Sequence, residues 1–109
     1  MQEETKFKLK VWPLLKAIPR SWWVKTQMVG IRGIPDWIGC VNGRFAGLES
    51  KIDEADIYKN AGHVVLQRYV LRKIRLAGGY TAIITPRTFD KVYNDLLQLS
   101  DAEKKTNQV

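Results

Sequence analysis

The dipeptide Asn42-Gly43 is the feature that most restricts how this chain can fold. Asn and Gly both accept positive φ, which the centre of a tight two-residue hairpin turn demands. Short apolar runs flank the pair, Trp37 to Val41 before it and Phe45 to Lys51 after it. The combination predicts an antiparallel hairpin, and a two-residue turn also sets its register. Asp36 lies six residues before Asn42 and Glu49 six after Gly43. The turn therefore sets the two carboxylates side by side, with Cβ atoms about 5 Å apart. Residues two apart on a strand share a face, so Lys51 projects with Glu49 while Ser50 points into the opposite layer.

The remaining elements arrange themselves around this hairpin. Phe7, Val11, Leu14, Leu15 and Ile18 recur at helical spacing and predict a helix from Glu4 to Ile18. Pro13 interrupts that pattern, so the helix is expected either to bend near Lys8–Val11 or to begin at Trp12. Ser21 to Val29 is rich in aromatic and β-branched residues and reads as a strand. Ile52 to Gly62 is polar and irregular. Val64 to Ala77 reads as a helix with Leu66, Val70, Ile74 and Ala77 inward and Arg68, Arg72 and Arg75 outward. Gly78-Gly79 stops it, Tyr80 to Thr85 is a further strand, and Thr88 caps a last helix from Phe89 to Leu99. The order predicts an α/β fold of the α+β kind, a mixed sheet flanked by helices, with the last strand parallel to a neighbour after a helical crossover. One domain over residues 1–99 is expected, followed by a polar, frayed tail over 100–109.

Composition restricts the chemistry. Cys40 and His63 are single representatives of their kinds, so no internal disulfide and no usual Cys/His zinc site can form. Any catalysis falls to carboxylates and lysines. Eighteen Lys and Arg against eleven Asp and Glu give a formal charge of +7. Such a domain attracts polyanions, with DNA or RNA favoured over an anionic membrane surface. No run of about 18 apolar residues is present, so a spanning helix is excluded. The polar start Met1-Gln2-Glu3-Glu4 lacks the pattern of a signal peptide, and a cytoplasmic location is expected.

Two carboxylates and an ammonium converging at one end of a hairpin suit a hard divalent cation. Adjacent carboxylates repel unless a cation lies between them, and Mg²⁺ accepts such oxygen ligands while keeping positions for water and phosphate. A bound metal acidifies water and neutralises charge on a scissile phosphate. Lys51 is placed to orient or deprotonate that water or to stabilise developing negative charge.

The residues also resemble a known family. Gly33-Ile34-Pro35-Asp36, Gly39-Cys40-Val41-Asn42-Gly43-Arg44-Phe45 and Leu48-Glu49-Ser50-Lys51 resemble the PD-(D/E)xK nuclease signature. Together with Gln67 and Ile74-Arg75-Leu76-Ala77-Gly78-Gly79-Tyr80, they are similar to its virus-type replication-repair (VRR-NUC) branch. The resemblance implies a restriction-endonuclease-like αβββαβ core and an endonuclease that hydrolyses DNA with Mg²⁺ or Mn²⁺. It implies Asp36 and Glu49 as metal ligands with the main-chain carbonyl of Ser50, and Glu4, or next Glu3, as an acid from the first helix. It assigns Lys51 to the attacking water and Gln67 to positioning either that water or Lys51. It further implies a homodimer acting on branched DNA, like Holliday junction resolvases, and a phage or mobile-element origin. The chain departs from the pattern at Ser50, where an apolar residue is usual, in the long acidic stretch from Ile52 to His63, and at Pro13.

Each residue has a plainer reading as well. Asp36 after Pro35 is an ordinary turn residue, Glu49 and Lys51 suit a solvated strand face, and Gln67 and Glu4 suit helix surfaces. Cys40 reads as a small core residue, His63 as a loop or cap residue, and Trp12, Trp22, Trp23 and Trp37 as core or dimer contacts. Arg68, Arg72 and Arg75, with Arg32 and Arg44 on loops flanking the proposed site, are candidate contacts to a DNA backbone. Two rival functions follow: a non-catalytic, dimeric nucleic-acid-binding module, and a dimeric structural protein with a Trp-rich interface.

Overall fold

The computed structural model describes residues 2–103 and gives a mixed α+β fold. Its elements are α1 (Glu3–Lys16), β1 (Ser21–Lys25), β2 (Trp37–Val41), β3 (Arg44–Ser50), α2 (Gly62–Leu76), β4 (Tyr80–Ile84) and α3 (Phe89–Asp101), with a 3-10 turn at Glu54–Tyr58. The sheet runs in the order β1-β2-β3-β4. β1 and β2 pair antiparallel, as do β2 and β3, whereas β4 lies parallel to β3. The expected αβββαβ order with a closing helix is the one observed.

Asn42 and Gly43 both take positive φ, +50° and +86°. The ladder pairs Val41 with Arg44 and Trp37 with Leu48. Continued by one residue, that register sets Asp36 opposite Glu49. Gly39 is required by close approach: a Cβ there would lie 2.3 Å from the Trp22 carbonyl oxygen and against the Trp23 ring. The side chain of Asn42 has a second task. Its amide donates to the carbonyls of Leu99 and Ala102, tying the turn to the end of α3.

One face of the sheet carries the main core. Phe7, Val11 and Leu15 of α1 and Phe89, Val92 and Leu96 of α3 pack there with Trp23, Trp37, Val41, Ala46, Leu48 and Ile84. α2 covers β3 and β4 on the opposite face, where Ile74 meets Gly47. α1 passes through Pro13 without a break, so the alternative start at Trp12 is not the one taken. The carbonyl that loses its partner to a proline is the one four residues back. Here that is Leu9, whose own side chain is exposed, so water can replace the missing donor.

Several boundaries move for identifiable reasons. β1 stops at Lys25 instead of Val29, where its ladder with β2 ends at the Lys25–Trp37 pair. Thr26, itself buried, then turns the chain: its hydroxyl donates to the carbonyls of Pro35 and Asp36, and its N–H donates to Asp36 as well. Gln27–Ile34 is left as a loop with Met28, Val29 and Ile31 exposed. α3 runs on to Asp101, beyond the expected end at Leu99. Ser100 is buried, its hydroxyl donates to Pro19, and its carbonyl accepts from Arg20. The start of the expected tail is thus part of the fold, while residues 104–109 lie outside the described residues. Thr88 precedes α3, but its hydroxyl accepts from the Thr85 N–H and makes no bond to the helix. Cys40 is exposed and not in the core, because its side of β2 lies beyond the reach of α2. Of the tryptophans, Trp23 and Trp37 are core residues and Trp22 is exposed. Trp12 is half-buried under the ammonium groups of Lys16 and Lys25.

Asn42→Gly keeps the turn conformation but removes both bonds to α3. It should lower unfolding free energy by about 1–2 kcal/mol, read from urea denaturation. Asn42→Val, which also strains the backbone, should cost more.

Candidate metal and phosphodiester site

The site lies where β2 begins and β3 ends, the end of the hairpin remote from its turn. Asp36 falls one residue before the ladder, so its carboxylate is free to wrap around the end of β3. Its Oδ2 accepts from the Ser50 N–H at 2.9 Å and from the Ser50 hydroxyl at 2.7 Å. Ser50 is therefore not confined to an opposite layer, as strand alternation alone predicts; it fixes the orientation of Asp36. Oδ1 of Asp36 accepts from the Lys8 ammonium at 3.4 Å.

Glu49 is 3% exposed, which rules out the solvated strand face. Its Oε1 is buried and has no hydrogen-bond partner. Burial, reinforced by the Asp36 carboxylate, pushes its carboxyl up to about 8, against the weaker opposing pull of Lys51 and Lys8. A buried oxygen without a partner is costly. Here it lies beside a second carboxylate, in an arrangement that a cation would relieve.

Lys51 and Gln67 meet as expected. The ammonium donates to Gln67 Oε1 at 2.8 Å, joining the strand to the first half of α2. Glu4, on α1, lines a cleft of about 360 Å³ with Lys51, Asp56, Lys59 and His63. Between Glu4 and Asp36 stands Lys8, 3.4 Å from a carboxylate oxygen of each. Burial works against its positive charge, but the Asp36 and Glu4 carboxylates outweigh it and hold the ammonium above its ordinary range. Glu4, rather than Glu3, is thus the helix acid linked to the site. Among the described residues, no three His, Cys, Asp or Glu side chains gather closely enough to hold a metal ion by themselves. Asp36 and Glu49 are the two carboxylates that lie together, and Glu4 is linked to Asp36 through Lys8.

The arginines divide. Arg32 is exposed on the loop that leads into Asp36. Arg44 does not flank the site: it pairs with Val41 beside the hairpin turn, five residues or roughly 17 Å along the strand from Asp36, and its guanidinium donates to the Gly78 carbonyl. Arg68 donates to the carbonyls of Ile57 and Lys59, holding the 3-10 segment against α2. Arg68, Arg72 and Arg75 nevertheless line one groove of about 450 Å³ beside β4, with Tyr58 and Thr81. Val64 and Leu71 are the buried residues of α2, whereas Leu66, Val70 and Ile74 of the expected stripe are only partly buried and Ala77, at the helix end, is exposed; Leu71 forms part of the groove wall.

Sequence reasoning passed over Lys8 and Thr26. Lys8 was detectable as the partner four residues after Glu4, the favourable order for a helical ion pair. Thr26 had no sequence signal, because its partners are backbone carbonyls nine and ten residues away.

No protein-family model, no curated protein and no solved structure matches this chain.

Glu49 generates a pH test on protein kept in EDTA. Its carboxyl binds a proton up to about pH 8 in the folded chain, against an ordinary value of 4.5. The folded state therefore holds the extra proton across that window, and its stability falls as pH rises through it. Glu49→Gln removes this dependence. Relative to wild type, the variant should gain stability steadily from pH 5 to pH 8.5, measured by urea unfolding at each pH; a constant difference would show that Glu49 ionises normally.

Proposed function

We propose that this chain is a Mg²⁺-dependent endonuclease that hydrolyses DNA phosphodiester bonds, with Mn²⁺ able to substitute. The observation that carries the reading is the buried, unpartnered oxygen of Glu49 beside Asp36, with the Lys51–Gln67 pair two residues farther along the chain. The donors fit the ion. Mg²⁺ is commonly held by one or two carboxylates, its other positions going to water and phosphate oxygens, so a third acid is not required. Asp36, Glu49 and the main-chain carbonyl of Ser50 would hold it. When bound, it supplies charge neutralisation at the phosphate and acidifies water.

The chain's own groups do the rest. Ser50 fixes the Asp36 carboxylate through two hydrogen bonds. Gln67 holds the Lys51 ammonium through its carbonyl oxygen, which leaves its amide N–H groups free to orient a water. Water oxygen forms the new bond to phosphorus, the P–O bond to the leaving sugar oxygen breaks, and a proton goes to that oxygen. Lys51 steadies the negative charge that builds during this exchange. Arg32 and the Arg72–Arg75 side of the α2 groove would bind the phosphate backbone. Branched DNA as substrate and a homodimer as the working form rest on the motif resemblance to VRR-NUC enzymes.

One observation favours a second reading, a nucleic-acid-binding module without catalysis: no three metal-ligating side chains gather among the described residues. The two are separated by incubating labelled four-way junction and matched duplex with the protein, in Mg²⁺ or in EDTA, beside Glu49→Gln. Metal-dependent cleavage lost in the variant supports the nuclease, and paired nicks confined to the junction support branch selectivity. Tight binding without cleavage in Mg²⁺ or Mn²⁺ supports the binding module.

The arginine groove makes a separate prediction for binding. Arg72→Ala and Arg75→Ala should each reduce the salt dependence of DNA affinity by about one unit of log–log slope. Arg68→Ala should instead lower stability, since its guanidinium holds two backbone carbonyls. Fluorescence anisotropy across a salt series checks the first expectation and thermal unfolding the second.

A further inference from the structure

We infer that Lys8 is a built-in counter-cation of the acidic site, one that a divalent metal must displace before the site can load. The inference rests on the metal-dependent reading given above and specifies how loading is controlled.

The ammonium of Lys8 lies 3.4 Å from Glu4 Oε1 and 3.4 Å from Asp36 Oδ1. The first contact alone would be an ordinary helical pair, four residues apart and largely exposed. The second is different: it crosses from α1 to the start of β2, spans 28 residues of sequence and is partly buried. It also takes up the only Asp36 oxygen not already committed to Ser50. Glu49, 3% exposed with a free Oε1, adjoins the same carboxylate. Lys8 thus bridges an acid of α1 and the acid just before β2, and its charge also reaches the buried Glu49 of β3. Two cations cannot occupy that space together: at 4 Å, even with an effective dielectric constant of about 20, like charges repel by several kcal/mol per unit charge.

The lysine has somewhere to go. It lines a cleft of about 350 Å³ with Thr5, Lys25, Gln27 and Asp36, whose walls share no residue with the cleft that holds Glu4 and Lys51. Its side chain is 37% exposed, so a change of rotamer carries the ammonium into water without disturbing the core. Glu4 then loses the ammonium that bridges it to Asp36. On this account Lys8 keeps the acids folded together without metal and sets the threshold at which metal enters.

The test is Mn²⁺ and Mg²⁺ titration of the full DNA-free chain by calorimetry, comparing wild type with Lys8→Met and Lys8→Arg. Lys8→Met keeps the side chain's length and removes its charge. It should bind metal about tenfold more tightly, while Lys8→Arg should match wild type or bind more weakly. Thermal unfolding gives an independent readout: without metal Lys8→Met should melt below wild type, and added Mg²⁺ should raise its Tm more than that of wild type. Equal or weaker metal binding by Lys8→Met would overturn the role of Lys8 and leave the nuclease reading standing. Failure of wild type and both variants to bind either metal would overturn the two together.

Discussion

The register of β2 against β3 is the constraint on which the rest of the molecule depends. A two-residue turn leaves no slack, and slipping it by one residue would exchange the two faces of the hairpin. Trp37, Val41, Ala46 and Leu48 would then leave the core, and Glu49 would leave its place beside Asp36. The turn is also held from outside, because the Asn42 amide binds the end of α3. One dipeptide therefore sets the core, the site and the docking of the last helix.

The same register creates an electrostatic problem at the other end of the strands. It places a buried carboxyl against a second carboxylate, and the response is distributed over several elements. Ser50 satisfies one oxygen of Asp36, Lys8 neutralises the other, and Glu49 favours its protonated form up to about pH 8. Thr26 holds the backbone of Asp36 so that none of these groups can relax away. Local strain of this kind contributes nothing to the core. Its concentration where two clefts open supports a functional reading, since perturbed carboxylates gather at sites that bind or react.

Positive charge is used in two ways. Arg44 and Arg68 point at backbone carbonyls and stabilise the turn after α2 and the 3-10 segment. Arg32, Arg72 and Arg75 are exposed and remain available to a polyanion. Part of the formal +7 of the chain is thus engaged with its own backbone carbonyls.

The sequence alone determined the element order, the hairpin and its register, and the meeting of Asp36 with Glu49. These follow from local rules: turn chemistry, strand alternation and helical periodicity act over a few residues and leave marks in the residue pattern. The tertiary structure decided what those rules cannot reach. Whether Cys40 is covered depends on how far α2 extends over the sheet. Whether Ser50 faces away from the site depends on Asp36 lying just past the ladder. Arg44 appears near the site when distance is judged by motif membership, and far from it once five residues of extended strand are laid out. Lys8 joins the acids only because α1 packs across the start of β2. Each of these is set by which surfaces meet in space, and contacts between residues far apart in sequence carry no periodic signal.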